Sequence, residues 1–436
     1  MRRTLALGVI ATTNTLAAFL TQWLVFVRLG AGVPTDALLA GSILPNLVLA
    51  VIVGALIHVL VPVFTDEPDA RFRGMAWDLL LVGTALLGAL TLALYAAAPS
   101  WVQLTAPGLV KNHFALALEL TRVQLLVLPF YAAWGVLWSA TQARRRFLWA
   151  EGSALLANAA CVALLAVWLE RGGGVWAGAW ASNARVVFQV VLLVPVLGRY
   201  VRLPVACVRE IRTEAWRRIR PLLLGTAYYN LDTVVDRVIA GMAPPGGLSL
   251  LFLGQQIFSA ALNIVSKVCI NPLVPTLAAQ VKAGDHAAFA RTVGRGGRAV
   301  ILVSAGGFVV LLACGEPLLR LLVGYGHVSP NNVHLLWRTM VLGGGLWLAA
   351  PLGRLIAAAF LARGETKTPS LVNALAFTLG APLKIAFFFL AGLSGLAVAI
   401  SLYYLLALVL LVAASVRLFR FHPAAPLRPV MAALEP

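Results

Sequence analysis

Residues 37–64 read ALLAGSILPNLVLAVIVGALIHVLVPVF, a stretch in which His58 is the sole side chain able to carry a charge. About 20 apolar residues in a helix cover the hydrocarbon thickness of a bilayer, and this run exceeds that length. A membrane β-strand would alternate over about 10 residues instead, and no alternation is present. Its Gly and Pro residues are of the kind that membrane helices tolerate, because neighbouring groups re-satisfy the freed backbone. The run reads as a membrane-spanning helix.

Eleven further runs of this kind surround it. Together the twelve lie near 4–28, 36–64, 75–98, 114–141, 147–169, 175–198, 219–241, 248–280, 298–316, 334–362, 368–391 and 394–418. The composition agrees: of 436 residues 61% are hydrophobic and 11% charged, with a mean hydropathy of +0.90. Soluble domains carry about 25% charged residues, so a water-soluble domain is excluded, and so is a charge-rich disordered chain. The first run exceeds a signal-peptide core and shows no clear cleavage site, so it reads as a span. The expected fold is an all-α polytopic membrane protein of about twelve spans.

The net charge of +18 is explained by topology. With the N-terminus inside, cytoplasmic segments hold 23 Lys and Arg, including Arg144, Arg145, Arg146 and seven arginines from Arg199 to Arg220. The opposite loops hold four: Arg28, Lys111, Arg171 and Arg320. That bias follows the positive-inside rule. It predicts both termini in the cytoplasm and leaves no footprint for nucleic acid.

The basic segment 199–218 divides the chain evenly, with Val205, Cys207, Val208 and Ile211 set against Arg209, Arg212, Arg217 and Arg218. It reads as an amphipathic helix on the inner membrane surface. Residues 1–198 then form one lobe of six spans, 219–418 a second, and 419–436 a cytoplasmic tail. The halves echo each other: Val61-Pro62 and Val274-Pro275 end the second span of each, Asn158 and Asn373 mark the fifth, Ser182 and Ser401 the sixth. Two parallel repeats about an axis along the membrane normal, with a cavity between them, are expected.

No catalytic constellation emerges. The six histidines are scattered, Gly364-Glu365-Thr366-Lys367 lacks phosphate-loop spacing, and Cys161, Cys207, Cys269 and Cys314 form no metal or disulfide pattern. The chain is expected to be no enzyme, to need no cofactor or metal, and to draw on an ion or solute gradient.

Charges inside spans are expensive and tend to face a cavity or partner. The seventh span carries Asp232, Asp236 and Arg237; the eighth carries Gln255, Gln256, Asn263, Lys267 and Asn271. The fourth has Glu119 and Arg122, the sixth Asn183, Arg185 and Gln189, the tenth Arg354 and the eleventh Lys384. Asp232 and Asp236 share a helix face. Glu119 and Arg122 are spaced for an ion pair. Lys267 and Arg354 sit mid-span, where Arg grips phosphate bidentately and Lys acts as a point charge, so an anionic phosphorylated ligand is expected.

The stretch Arg28-Leu-Gly30-Ala31-Gly32-Val-Pro-Thr35-Asp36-Ala37, continuing to Leu44-Pro45-Asn46 and Val61-Pro62-Val63-Phe64, resembles the bacterial lipid II flippase family (MurJ/MviN type). Leu104-Thr105-Ala106-Pro107-Gly108, Asp236-Arg237 followed by Gly246-Gly247-Leu248-Ser249, Pro275-Thr276-Leu277 and Thr366-Lys367-Thr368-Pro369 extend the resemblance in order along the chain. That family belongs to the superfamily of multidrug/toxin extruders (MATE) and polysaccharide-lipid flippases (MOP). The resemblance implies a MATE-like fold of two six-helix lobes around a central cavity. It also implies passage of an undecaprenyl-pyrophosphate-linked glycan, lipid II or a related precursor, across the bacterial inner membrane by alternating access.

On that reading Asp36, Arg28, Gln256, Lys267, Arg354, Asp236 and Arg237 are substrate-binding candidates. Asp232 and Asp236 are candidate sites for a coupling cation, H⁺ or Na⁺. The expected partners are the lipid-linked oligosaccharide and membrane lipids. The sequence departs from the family at Thr15, Thr21, Leu49 and Gln256, where the family places arginines, and it has twelve spans where the family tends to have fourteen. Two alternatives stay open: a flippase for a lipid-linked exopolysaccharide precursor, and a cation-coupled small-molecule exporter.

Overall fold

The computed structural model describes residues 2–65, 67–109, 113–201, 204–365 and 367–421. Among these residues every regular element is helical. In chain order the helices are α1 (Arg2–Leu29), α2 (Val33–Gly41), α3 (Ile43–Val48), α4 (Gly54–Thr65), α5 (Asp69–Thr105), α6 (Phe114–Leu125), α7 (Leu128–Ala143) and α8 (Phe147–Glu170). There follow α9 (Gly174–Leu193), α10 (Val205–Ala240), α11 (Gly247–Val265), α12 (Leu273–Lys282), α13 (His286–Val323), α14 (Pro330–Leu342), α15 (Gly344–Ala362) and α16 (Lys367–Phe421).

Ten stretches among the described residues are helical, long and apolar enough to cross a membrane. The last, within α16, is broken at Ala391 and Gly392, whose backbones leave the helical region; it holds the eleventh and twelfth spans read from the sequence. The seventh falls in α10. Its basic first half and its span-like second half form one continuous helix of 36 residues, so the segment read as a separate surface helix runs straight into the seventh span. No proline or glycine separates Val205 from Arg220, and α10 continues helical through Pro221 just beyond.

The second span is not a uniform rod. Pro45 lacks an N–H and its ring crowds the carbonyl one turn back, and the helix steps at Ser42 between α2 and α3. A π-helical turn, Leu49–Val53, then leads into α4. The eighth span repeats the device: α11 passes through a π-helical turn, Ser266–Ile270, before Pro272 and α12. Single π-turns of this kind concentrate at functional sites.

Backbone contacts group the chain into two compact units. The first is Met1–Leu253 with Leu319–Leu336, and the second is Gly254–Leu318 with Trp337–Pro436. In the first unit, Leu60, Phe64, Met75, Leu137 and Leu193 form one fully buried cluster, and Leu44, Leu125, Leu128 and Tyr131 form another. α10 packs against α3, α4 and α5. Residues 319–336 are held to α1 by the Trp23 indole N–H donating to the Leu322 carbonyl and by the His327 amide donating to Val27 at 3.1 Å. The second unit has smaller clusters, such as Ile270 with Val300 and Leu355, and Phe360 with Val372 and Leu411.

Large apolar side chains also point outward, among them Leu92 (75% exposed), Leu302 (73%) and Leu390 (81%). In water such surface would drive association; against lipid it is the required solvent. Within the helices Thr91, Thr121, Ser139 and Thr141 return their hydroxyls to the carbonyl one turn earlier, so these buried groups stay satisfied without water.

Small residues set the helix spacing. At Gly41 an added Cβ would lie 3.0 Å from the Thr121 amide nitrogen and 2.7 Å from the Gln124 amide, so α2 and α6 touch through bare backbone. Gly88 of α5 has nothing within 4 Å of such a carbon. Gly41→Ala is therefore expected to lower stability by about 1–3 kcal/mol, while Gly88→Ala is neutral or stabilising. Thermal unfolding of the two variants in detergent checks the contrast.

Candidate functional site

In the first unit Asp36 is 5% exposed and every oxygen of its carboxylate is engaged. Oδ2 accepts from the Gly246 amide at 2.6 Å, and Oδ1 accepts from the Ser249 amide at 2.8 Å and from the Ser249 hydroxyl. These donors lie at the start of α11, where the first amides of a helix have no intrahelical acceptor and the helix dipole favours a negative charge. Gly246 has φ +94, a conformation that costs glycine little, and this turns its N–H toward the acid. Asp36 thus acts from α2 as a cap for α11, with both carboxylate oxygens accepting.

The Asp232 and Asp236 carboxylates are also buried, at 8% and 4% exposure. Next to Asp236, the Arg237 guanidinium lies over the Phe252 ring, 5.0 Å from its centroid, and its buried Nε has no hydrogen-bond partner. Arg28 is exposed and pairs with Glu170 at 3.7 Å, a surface contact of small energetic weight. The pair expected from the spacing of Glu119 and Arg122 does not form. Glu119 is exposed, and Arg122 instead stacks on Tyr95, 4.8 Å from the ring centre. Thr15 and Thr21 donate to carbonyls of their own helix, Ala11 at 2.9 Å and Ala17 at 3.3 Å.

In the second unit the Arg354 guanidinium donates to the Ser266 hydroxyl at 3.0 Å. Ser266 opens the π-turn that carries Lys267, so the two mid-span cations meet at one break in the eighth span. Both are exposed, and Gln256 is half-buried on α11, about three turns before Lys267. The same turn interrupts the stripe of Gln256, Asn263, Lys267 and Asn271 read on a regular helix. Arg354 also lines a cavity of about 240 Å³ with Asn373, Tyr403 and Tyr404. Lys384 is fully buried, with its ammonium 4.3 Å from the centre of the Tyr403 ring.

The spacing arguments did not gather one group of residues. Gln22, Asn46, Gln124, Asn158, Asn183 and Arg185 surround a polar cavity inside the first unit. They come from α1, α3, α6, α8 and α9. Asn183 and Arg185 stand out together in the sixth span and Asn158 in the fifth, but no periodicity joins residues of five different helices. No group of three or more His, Cys, Asp or Glu able to hold a metal occurs among the described residues.

The family model described as "Lipid II flippase MurJ" matches residues 27–434. The chain belongs to the MurJ lipid II flippase family. A probable lipid II flippase of Rhizobium meliloti (strain 1021) is 24% identical over 402 residues, covering 88% of this chain and 74% of that relative. One from Thermotoga maritima is 22% identical over 70% of this chain and 62% of its own length. A third, from Vibrio cholerae, is 24% identical over 191 residues, 44% of this chain and 36% of that protein.

Among solved structures, a lipid II flippase MurJ in an inward closed conformation aligns with a TM-score of 0.77 at 14% identity, over 94% of this chain and 87% of that one. An inward-facing multidrug resistance MATE transporter of the MOP superfamily aligns at 0.76 with 15% identity, over 95% and 97% of the two chains. At such identities these likenesses establish the fold, an all-helical membrane architecture of the MATE and MOP kind.

The Asp36 cap yields a test. Asp36→Ala strands two buried amides and should lower unfolding stability by about 3 kcal/mol; Asp36→Asn, which keeps an acceptor oxygen, should cost less. A double-mutant cycle with Ser249→Ala should give a coupling of about 1 kcal/mol, read by thermal unfolding in detergent.

Proposed function

We propose that the chain is a flippase of the bacterial inner membrane that carries an undecaprenyl-pyrophosphate-linked glycan precursor, lipid II or a close relative, from the inner to the outer leaflet by alternating access. The observation that carries this reading is the family match across residues 27–434. The repeated π-turns in the second and eighth spans support two duplicated halves, 1–198 and 219–418, as the lobes that move. The positive-inside bias supports cytoplasmic termini. The task requires binding and release and no bond-breaking chemistry.

The chain's own contribution is charge. Lys267 and Arg354 would hold the pyrophosphate, the guanidinium through paired N–H donors and the ammonium as a point charge. Gln256 extends the donor set. Asp232 and Asp236 would take up H⁺ or Na⁺ and couple its gradient to the cycle. A second reading, a flippase for a different lipid-linked glycan, is favoured by one observation. At Thr15 and Thr21 the hydroxyls turn back onto α1, so the donors offered to a headgroup differ from those expected of the family.

Depletion of the resident lipid II flippase in a bacterial host separates these readings. Expression of this chain is expected to restore growth, and Lys267→Ala with Arg354→Ala is expected to abolish the rescue at unchanged membrane levels. Absence of rescue by a correctly inserted wild-type chain would sink lipid II as substrate. Full rescue by the double variant would show that other cations hold the pyrophosphate.

A further inference from the structure

Within the second unit a narrow crevice of about 190 Å³ opens between the ends of three helices. Its walls are the opening turns of α13, with Val293 and Gly297, the closing turns of α15, and Val412 and Ser415 of α16. The Ser415 hydroxyl returns to the Val412 carbonyl at 2.7 Å, so this polar group is spent within its own helix. Apart from Arg363, the remaining lining is apolar.

Along α15 the lining runs from Leu352 to Arg363, which is about 16 Å at the rise of an α-helix. That is close to half of the hydrocarbon thickness of about 30 Å, the depth of a single leaflet. Arg363 stands at the rim, where α15 ends. Its guanidinium lies over the Phe289 ring, 4.7 Å from the centroid. Stacking of this kind holds a guanidinium by its face and leaves its N–H donors directed sideways. Glu365 is within electrostatic reach of it and accepts from the Thr368 hydroxyl. Arg291, Arg295 and Arg298 are exposed on the opening turns of α13, so positive charge prevails around this end of the unit.

An apolar slot one leaflet deep with a cation at its rim matches the chemistry of a phospholipid. A helix of a partner protein is about 10–12 Å across, too wide for this volume over that length, whereas one extended hydrocarbon chain fits. One arginine in the lining matches one phosphate. We propose that the crevice between α13, α15 and α16 binds an anionic phospholipid with a single phosphate, one acyl chain lying in the slot and the phosphate on Arg363. The leaflet is the one on the arginine-rich side, which the positive-inside bias marks as cytoplasmic. This site stands whether or not the chain moves lipid II.

The test uses the full chain in detergent, with phosphatidylglycerol and phosphatidylcholine of matched chains as probes and retention read by native mass spectrometry. The wild type is expected to retain phosphatidylglycerol in preference to phosphatidylcholine. Arg363→Gln is expected to weaken phosphatidylglycerol about tenfold, the effect of one charged contact, and to leave phosphatidylcholine unchanged; Arg363→Lys should fall between. A Cβ added at Gly297 lies 3.8 Å from the Leu352 side chain, an ordinary contact, so Gly297→Leu has room to extend into the crevice and is expected to abolish retention. Gly294, exposed on the same helix, has nothing within 4 Å of such a carbon, and Gly294→Leu is expected to behave as the wild type. Should Arg363→Gln not fold, the two glycine variants carry the comparison.

Equal retention of the two lipids by the wild type would overturn the proposal. So would a loss of phosphatidylglycerol as large in Gly294→Leu as in Gly297→Leu, which is the mark of general adhesion to the helix surface. Retention unchanged in both Arg363→Gln and Gly297→Leu would place the lipid elsewhere and overturn it as well.

Discussion

A single buried carboxylate joins parts of the chain that are 210 residues apart in sequence. Asp36 leaves α2 and closes over the first amides of α11, accepting from Gly246 and from both the amide and the hydroxyl of Ser249. Buried from solvent, an ionised acid is tolerable only when donors engage it, and helix amides are tolerable only when an acceptor does. Each deficiency satisfies the other. The position of α2 follows, since it must bring Asp36 to that helix end while Gly41 presses bare backbone against α6. The step at Ser42 and the π-turn at Leu49–Val53 then let the same span change direction without leaving a carbonyl orphaned.

The positive charges of the molecule have distinct physical roles. Most lie in the connections between spans, where the positive-inside rule gives them a topological reading. Others are neutralised or stacked within the protein: Arg28 by Glu170, Arg122 on Tyr95, Arg237 over Phe252 and Lys384 beside Tyr403. Arg354 differs, since its guanidinium lines a cavity and donates to the Ser266 hydroxyl.

The positions at which the family resemblance leads one to expect arginine are instructive here. Thr15 and Thr21 of α1 are locally satisfied, and Thr21 lines the cavity that Arg185 supplies with charge. A charge can therefore enter a cavity from a different helix while the cavity's location persists. That change is invisible to a motif read along one span.

What the sequence determined by itself is everything that depends on local composition. The run Ala37–Phe64 is long and apolar enough to be a span whatever surrounds it, and the arginines of 144–146 and 199–220 carry the expected orientation of the loops. The resemblance carried by the stretch around Thr35-Asp36-Ala37 reached the family for the same reason, as a contiguous pattern. The tertiary structure alone decided which polar residues meet. Asp36 stood in the sequence as a lone acid before a span and caps a helix 210 residues away; Glu119 and Arg122 had pairing spacing and do not pair; Gln22, Asn46 and Arg185 line one cavity without sharing a helix period. In lipid every buried polar group takes whichever partner the packing of helices brings within reach, and that choice is made by crossings between helices rather than by the period of any one of them.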